Sequence, residues 1–305
     1  MTFLSVLIAL LIERVFNQYR PARRHGWFST YCGGMSRVGA VQWLMTRPWG
    51  AALALLPPLL LIGWLQWLAA SLGSLAGLVF GTLVLVYCLG PRELGEEAEG
   101  FIDARDRGDR HRAQAAAQDL CLVEAPDTEP RRSFAVARAV VVLANRRLIG
   151  PLFWFLLFGP VGAAAYRAIH LMAEHLQAMD CPHEMKRYSD ELRHIADWAP
   201  ARITATGYAV AGNFDAVAHS WRTFDYVPSD GPLAEAEHLL AQTGLAALDT
   251  FPHEAHDLYG DDPGDVPPYP ALTPPVVEDA LALVWRTLTL WVGVIGGGTL
   301  IAWIA

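Results

Sequence analysis

Apolar and polar positions along this chain fall into blocks rather than alternating at helical or strand spacing. Between Arg47 and Arg92 no residue is charged. That block, PWGAALALLPPLLLIGWLQWLAASLGSLAGLVFGTLVLVYCLGP, is long enough for two helices of about 20 residues each, the length that crosses a hydrocarbon core of about 30 Å. SLGS, at residues 71–74, is the natural break, so the block predicts a helical hairpin. A further uncharged run lies between Arg147 and Arg167, and another follows Arg286 to the C-terminus. Both are long enough to span. The N-terminal run TFLSVLIALLI is shorter and ends in Glu13-Arg14, a pair that costs less at an interface than at the bilayer centre.

The charged segments predict solvated helices. RELGEEAEGFIDARDRGDRHRAQAAAQDL mixes both signs at i,i+3 and i,i+4 spacing, and Gly108-Asp109 divides it into two helices joined by a turn. SFAVARAVVVLANRRLIG has an apolar face and ends at two arginines. EMKRYSDELRHIADWAPAR carries a stripe of Met185, Tyr188, Leu192 and Ile195, and Pro200 is expected to break or cap it. A second stripe runs through Ile203, Val210, Phe214, Val217 and Trp221. The last soluble helix is LAEAEHLLAQTGLAAL. DTFPHEAHDLYGDDPGDVPPYPALTPP, rich in proline and acid, reads as an exposed linker.

Strand signals are nearly absent. The expected fold is therefore all-α: a polytopic membrane protein with four to five transmembrane helices and helical soluble segments. Its parts are an N-terminal hydrophobic segment and basic loop (1–47), the hairpin (48–91), a helical segment (92–147), a broken membrane helix (148–169), an acidic helical region with linker (170–280) and a final membrane helix (281–305).

Composition agrees, with 53% hydrophobic residues. The net charge of −8 hides an asymmetry: residues 13–47 hold six arginines against one acid, residues 92–147 ten against eleven, and residues 167–280 six lysines and arginines against nineteen acids. Because basic residues set orientation, the first two segments belong in the cytoplasm. If the 148–166 run crosses once, as the scarcity of later cations favours, the acidic region faces outward. If the run is re-entrant, that region stays inside. No cleavable signal peptide is expected. Cys32, Cys88, Cys121 and Cys181 are isolated, which argues against a disulfide framework or zinc site. Soluble parts that are acidic or charge-balanced exclude nucleic acid as a partner.

Chemistry is sparse. Gly73, Gly77 and Gly81 form a G-x-x-x-G-x-x-x-G series, and Gly293 and Gly297 repeat the spacing, as helix-packing faces do. Packing within the chain is the first reading and a homodimer face the second. In PLFWFLLFGPVGAAAYRAIH, residues 151–170, two prolines and two glycines interrupt a membrane-length run that carries Trp154 and leads to Tyr166-Arg167. Non-helical backbone at membrane depth is tolerated where it is buried or lines a cavity, so Arg167 is either a snorkelling helix end or an anion-binding group at a pocket mouth. Asp197 and Arg202 flank the proline of DWAPAR, as an ion pair or jointly facing a ligand. Asp109 sits in a cluster with Arg105, Arg107, Arg110 and Arg112 that is balanced by acids, the pattern of a solvated face. His253 and His256 stand in PHEAHD, which is not the H-E-x-x-H of a metal helix. No metal and no cofactor is expected; Walker A, G-x-G-x-x-G and G-x-S-x-G motifs are missing.

PLFWFLLFGPVGAAAYRAIH followed by DWAPARITA, with LIALLIERVF, RDRGDRHRAQ and GNFDAVAHSWR, resembles the AmpE/CobD-CbiB family of bacterial inner-membrane proteins. The cobalamin branch implies an ATP-dependent amide synthase joining aminopropanol or its phosphate to adenosylcobyric acid. Members of that branch carry a G-R-D-T element, an E-N-x-x-D-G run before PLFW and a late S-P-N-x-G segment. Here LANRRLIG precedes Pro151 and FDYVPSDGPLAEAEHLL follows Trp221. The AmpE branch, with TFLSVLIALLIERVF and Asn145-Arg146-Arg147 ahead of PLFW, is more similar. It implies a multi-pass inner-membrane modulator in the signalling that couples recycled muropeptides to β-lactamase expression. The resemblance thus implies a pathway rather than a reaction, and with the reading of the residues it gives a bilayer, a muropeptide-like or other anionic ligand and a homodimer as candidate partners, Trp154, Tyr166, Arg167, Asp197, Arg202 and Asp109 as candidate ligand-binding residues, and no catalytic residue. A small transporter is a further class the broken helix allows.

Overall fold

The computed structural model describes residues 2–15, 50–89, 91–121, 124–179, 182–224, 235–248 and 276–304, with Thr30, Tyr31, Gly34, Trp43 and Arg47 besides. Among them there is no strand. The helices are α1 (Thr2–Val15), α2 (Gly50–Ser71), α3 (Ser74–Cys88), α4 (Pro91–Asp106), α5 (Arg110–Leu120), α6 (Glu129–Ala144), α7 (Gly150–Ala178), α8 (His183–Ala211), α9 (Phe214–Arg222), α10 (Glu235–Ala247) and α11 (Val276–Ile304), with a π-helical turn at Asn145–Ile149. The linker carrying His253 and His256, and both Cys32 and Cys181, lie outside the described residues. The chain divides into one unit of residues 1–90 and 149–200 and a second of residues 91–148 and 201–305.

In the first unit α2 and α3 form the apolar hairpin, turning at Gly73, whose φ of 124° suits only glycine. Leu56, Leu60, Leu61, Trp64, Trp67 and Leu83 are exposed on it. An apolar surface of that kind is a lipid-facing one. Three stretches are long and apolar enough to cross a membrane, within Gly50–Ser71, Arg131–Ala178 and Val276–Ile301, and α3 is a shorter apolar helix.

The Arg131–Ala178 stretch is not one rod. Gly159 takes φ 66° and ψ −153°, and the helix folds back on itself there. A Cβ on Gly162 would run into the Trp154 carbonyl, and one on Gly150 into the Tyr166 ring. In a straight helix residues 150 and 166 would stand about 24 Å apart. The two pairs are symmetric about Phe158, so residues 150–158 and 160–178 are antiparallel arms. Of the two arrangements the sequence allows, a straight run or one that turns back, the arms take the second, because Gly159-Pro160 cannot continue a right-handed helix and glycines let the arms touch. At the tip Leu157 and Phe158 are exposed, and the freed backbone is met by Gln66 of α2, whose Oε1 accepts from Val161 N at 3.4 Å. The longer arm runs back along α2 to a cluster of Ala51, Ala54, Leu55, Met172, Leu176 and Met185.

Prolines inside helices are met by a repeated device. Pro58 leaves the Ala54 carbonyl without a helical donor, and Tyr31 Oη donates to it at 2.8 Å. Pro200 does the same to Ala196, and Trp154 Nε1 donates there at 3.0 Å. Pro200 therefore does not break α8, which continues to Ala211; the expected break is corrected because the orphaned carbonyl has a partner.

In the second unit α6 is the central helix, with Phe134 to Ala137 and Ala139 to Ala144 buried, and α4, α5, α10 and α11 pack around it. A helix apolar all round is one that other helices enclose. Gly244 lets α10 come against Val141. The π-turn turns Asn145 N–H to the Val142 carbonyl, and the Val141 carbonyl accepts from Tyr208 Oη at 2.6 Å. Burial pushes the Tyr208 phenol far above its ordinary range. The apolar stripes of α8 need correction too. Val210 of α8 and Phe214 of α9 are exposed, Val217 of α9 is buried as expected, and the inward residues of this part of α8 are Ala201, Ala205, Tyr208 and Ala209. Close approach of helices selects small residues, with Gly207 against Thr287 and Trp291 of α11. Ile195 of the first stripe is exposed as well.

The glycine series separates on the same criterion. A Cβ on Gly81 would meet Ser5, Phe155 and Pro160 at 3.5–3.6 Å, one on Gly77 only Ala70 at 3.8 Å, and ones on Gly293 and Gly297 nothing. Gly81→Leu is expected to lower the melting temperature of the purified protein through overpacking, by about 1–3 kcal/mol, while Gly293→Leu leaves it unchanged. Equal melting of both variants would show that α3 is not packed as described.

Cys121 follows α5, and burial pushes its thiol up from 9.0 to about 11, against a weaker pull from Arg138. Thiolate is the reactive form, so alkylation at pH 8 is expected to be slow in the folded protein and fast after unfolding. Because the folded value is the higher one, this group's contribution to stability is complete below pH 9 and is lost as pH rises toward 11. Fast alkylation of the folded protein would contradict the burial.

Candidate functional site

The folded-back arms of α7 gather the polar groups of the first unit. Asp197, on α8, is buried, and its Oδ1 accepts from Tyr166 Oη at 2.6 Å and faces His170 Nε2 at 3.0 Å. Tyr166 and His170 are one helical turn apart, both buried, with ring centroids 4.6 Å from each other. A carboxylate in this position is held by two donors, as a buried acid must be. It ties α8 to the longer arm. Trp154 ties the shorter arm to the same turn of α8 through Ala196, and its ring stacks on Phe158 at 5.7 Å. Three of the expected residues, Trp154, Tyr166 and Asp197, thus converge, in a clasp that fixes the two arms.

Arg167 points elsewhere. It lines a cavity of about 280 Å³ between α2, α3 and the longer arm, with Pro58, Leu59, Phe80, Leu83 and Tyr87 among its walls. The cavity is almost wholly apolar. The Nε of Arg167 is buried and has no hydrogen-bond partner. An unsatisfied charged donor in an apolar wall is a feature that a bound anion would complete.

The other expected residues belong to the second unit. Arg202 pairs with Glu235 at 3.0 Å. The arginines ahead of PLFW are likewise matched, Arg147 with Glu97 at 2.8 Å and Arg146 with Glu237 at 3.9 Å, and Asn145 Oδ1 accepts from Thr204 Oγ1 at 2.9 Å. Asp109 caps α5, accepting from Arg112 N at 3.1 Å. It lies on a cavity of about 360 Å³ whose charged lining is five acids against Arg107 and Arg112, which does not favour an anion. Arg105 is nearly buried and bonds Glu278 at 2.7 Å and Asp106 at 2.8 Å; burial would lower its pKa, but these two bonds raise it and prevail. That pair fastens the start of α11 to α4. Among the described residues no three His, Cys, Asp or Glu side chains gather as a metal site.

Sequence reasoning missed His170, Gly150 and Gln66, and read Gly162 as an interruption rather than as a contact between arms. The spacing of Tyr166 and His170 on one helical face was a usable signal. Nothing local announces that Gln66 meets the break.

Over residues 1–226 the sequence matches the family described as regulatory signalling modulator protein AmpE. Among curated proteins it is 28% identical to a cobalamin biosynthesis protein CobD of Stutzerimonas stutzeri, covering 95% of both chains. It is 30% identical to a cobalamin biosynthesis protein CobD of Chromobacterium violaceum, covering 75% of this chain and 76% of that one. It is 23% identical to the protein AmpE of Shigella flexneri, covering 52% of this chain and 58% of the other. No solved structure matches.

Proposed function

The chain belongs to the AmpE family, within the wider group that includes CobD proteins, and from that premise we propose that it is a multi-pass inner-membrane sensor or modulator linked to peptidoglycan recycling and β-lactamase induction. It would act by binding an anionic ligand, muropeptide-like or other, at the folded-back α7. The observation that carries the reading is Arg167: an arginine in the wall of an apolar cavity, its Nε buried without a partner, on the arm that the Asp197 clasp holds in place. A ligand can bias the protein only by binding two arrangements of that arm with different affinity. Arg202, matched by Glu235, has the lesser claim on an anion. The open face at Gly293 and Gly297 is where a second copy would pack.

The test is complementation of a deletion strain with the wild type, Arg167→Ala or Arg202→Ala, reading induced β-lactamase activity and membrane abundance. Arg167→Ala is expected to behave as the deletion at undiminished abundance. Normal induction with Arg167→Ala would overturn the site, and induction indifferent to the deletion would overturn the role.

A second reading is an ATP-dependent amide synthase acting on adenosylcobyric acid. It is favoured by the 95% coverage of the first CobD relative and disfavoured by LANRRLIG ahead of Pro151, where both arginines are matched by acids. Amide product from adenosylcobyric acid, aminopropanol phosphate and ATP would establish it.

A further inference from the structure

The cavity at Arg167 is distinctive for pairing one cation with walls suited to a hydrocarbon chain. Leu59 and Ile62 come from α2, Phe80 and Leu83 from α3, and Ala164 and Ala168 from the longer arm of α7. Almost no polar atom is exposed on its walls, and the Nε of Arg167 lies buried in one of them. That nitrogen is without an acceptor, whereas Arg105, Arg146, Arg147 and Arg202 of the second unit each meet an acid.

Depth adds to the argument. Tyr87 and Cys88 end α3, and Pro58 is eight residues, about 12 Å, from the Gly50 end of α2. Arg167 therefore lies on the side of the cavity toward the open end of the hairpin, where α2 begins and α3 ends, at a height its stem can adjust. Phe80, Ile62 and Ala164 lie on the side of the cavity nearer the Gly159 tip. The polar end of a ligand would meet Arg167 and its chain would run toward the tip. A soluble anion would satisfy the guanidinium and leave the apolar walls unused. Leu83, 62% exposed, leaves the cavity open on a face that would meet lipid.

We propose that this cavity is a site for an anionic lipid, with the phosphate on the Arg167 guanidinium and one hydrocarbon chain against Leu59, Ile62, Phe80 and Leu83. Basic groups set between membrane helices recognise lipid phosphates in this way. The inference rests on the proposed role of Arg167 as the anion-recognising group and names the ligand's class. Binding there holds the longer arm against the hairpin, so the lipid content of the membrane would bias the state of α7.

The test is native mass spectrometry of the full-length protein in detergent with added dioleoyl phosphatidate or dioleoyl phosphatidylcholine, and with inorganic phosphate as competitor. The wild type is expected to retain one phosphatidate in preference to phosphatidylcholine. Arg167→Gln should weaken that retention about tenfold, the loss of a charge-assisted bond, and Arg167→Lys should restore part of it. Leu83→Trp, which fills the cavity and leaves the cation, should also weaken it. Arg187→Gln, at an exposed arginine paired with Glu191, should not. Equal retention by the wild type and Arg167→Gln would overturn the proposal, as would displacement by millimolar phosphate alone, which marks a soluble-anion site. Lost lipid binding with normal β-lactamase induction would overturn the regulatory reading and keep the lipid site. Lost induction with intact lipid binding would do the reverse.

Discussion

Gly162→Leu is expected to abolish the folded protein. A Cβ at that position runs into the Trp154 carbonyl of the opposite arm, and a backbone atom cannot turn aside as a flexible side chain can. Overpacking of ordinary cores costs about 1–3 kcal/mol; here relief requires the arms to separate. Separation withdraws Trp154 from Ala196 and Tyr166 from Asp197. Against a total stability of about 5–15 kcal/mol, that is enough to remove the protein from the membrane fraction. Gly162→Ala should be milder in the same direction. The check is the yield and melting temperature of membrane-extracted protein beside Gly297→Leu, a change into open space. A Gly162→Leu protein that melts like the wild type would mean the arms are not in contact.

Asp197→Ala is expected to be the next most damaging change. It leaves the Tyr166 hydroxyl and the His170 ring buried without the carboxylate they share. Each buried donor left unsatisfied costs about 1–3 kcal/mol. Asp197→Asn keeps an acceptor for Tyr166 and should lose less. Thermal melting of the two variants reads the difference. If alanine and asparagine are equally harmless, the clasp does not hold α8 to α7, and the proposed coupling of that arm to a ligand loses its frame.

The sequence made the helical character legible because its signals are local: charge-free blocks, the SLGS break of the hairpin, and Gly108-Asp109 between α4 and α5. Gly159-Pro160 announced an interruption. Whether an interrupted helix bends or doubles back depends on what the arms meet, and the glycines that decide it, Gly150 and Gly162, are informative only once paired across the turn. Pro200 misled for a similar reason, since its cost is offset by Trp154, 46 residues earlier. The apolar stripe through Val210 and Phe214 misleads because large apolar residues at helical spacing read as inward, while α8 packs through alanines and Gly207. Trp154, Tyr166 and Asp197 were legible as candidates from the motif; their convergence with His170 was not, because it depends on the reversal of α7. Arg167 was legible as a charge at a helix end. Its apolar surroundings come from Leu59, Phe80 and Leu83, some 84 to 108 positions away in the chain.

The reversal at Gly159 supports the clasp and the cavity. It is tested most directly by the distance between spin labels on Phe153→Cys and Ile169→Cys, in a background with the native cysteines replaced, measured by double electron–electron resonance in lipid nanodiscs. Antiparallel arms packed at about 8–10 Å place the two backbones within roughly 15 Å, and a short distance is the expected result. A helix running straight through would hold them about 24 Å apart, and a distribution centred there would contradict the account.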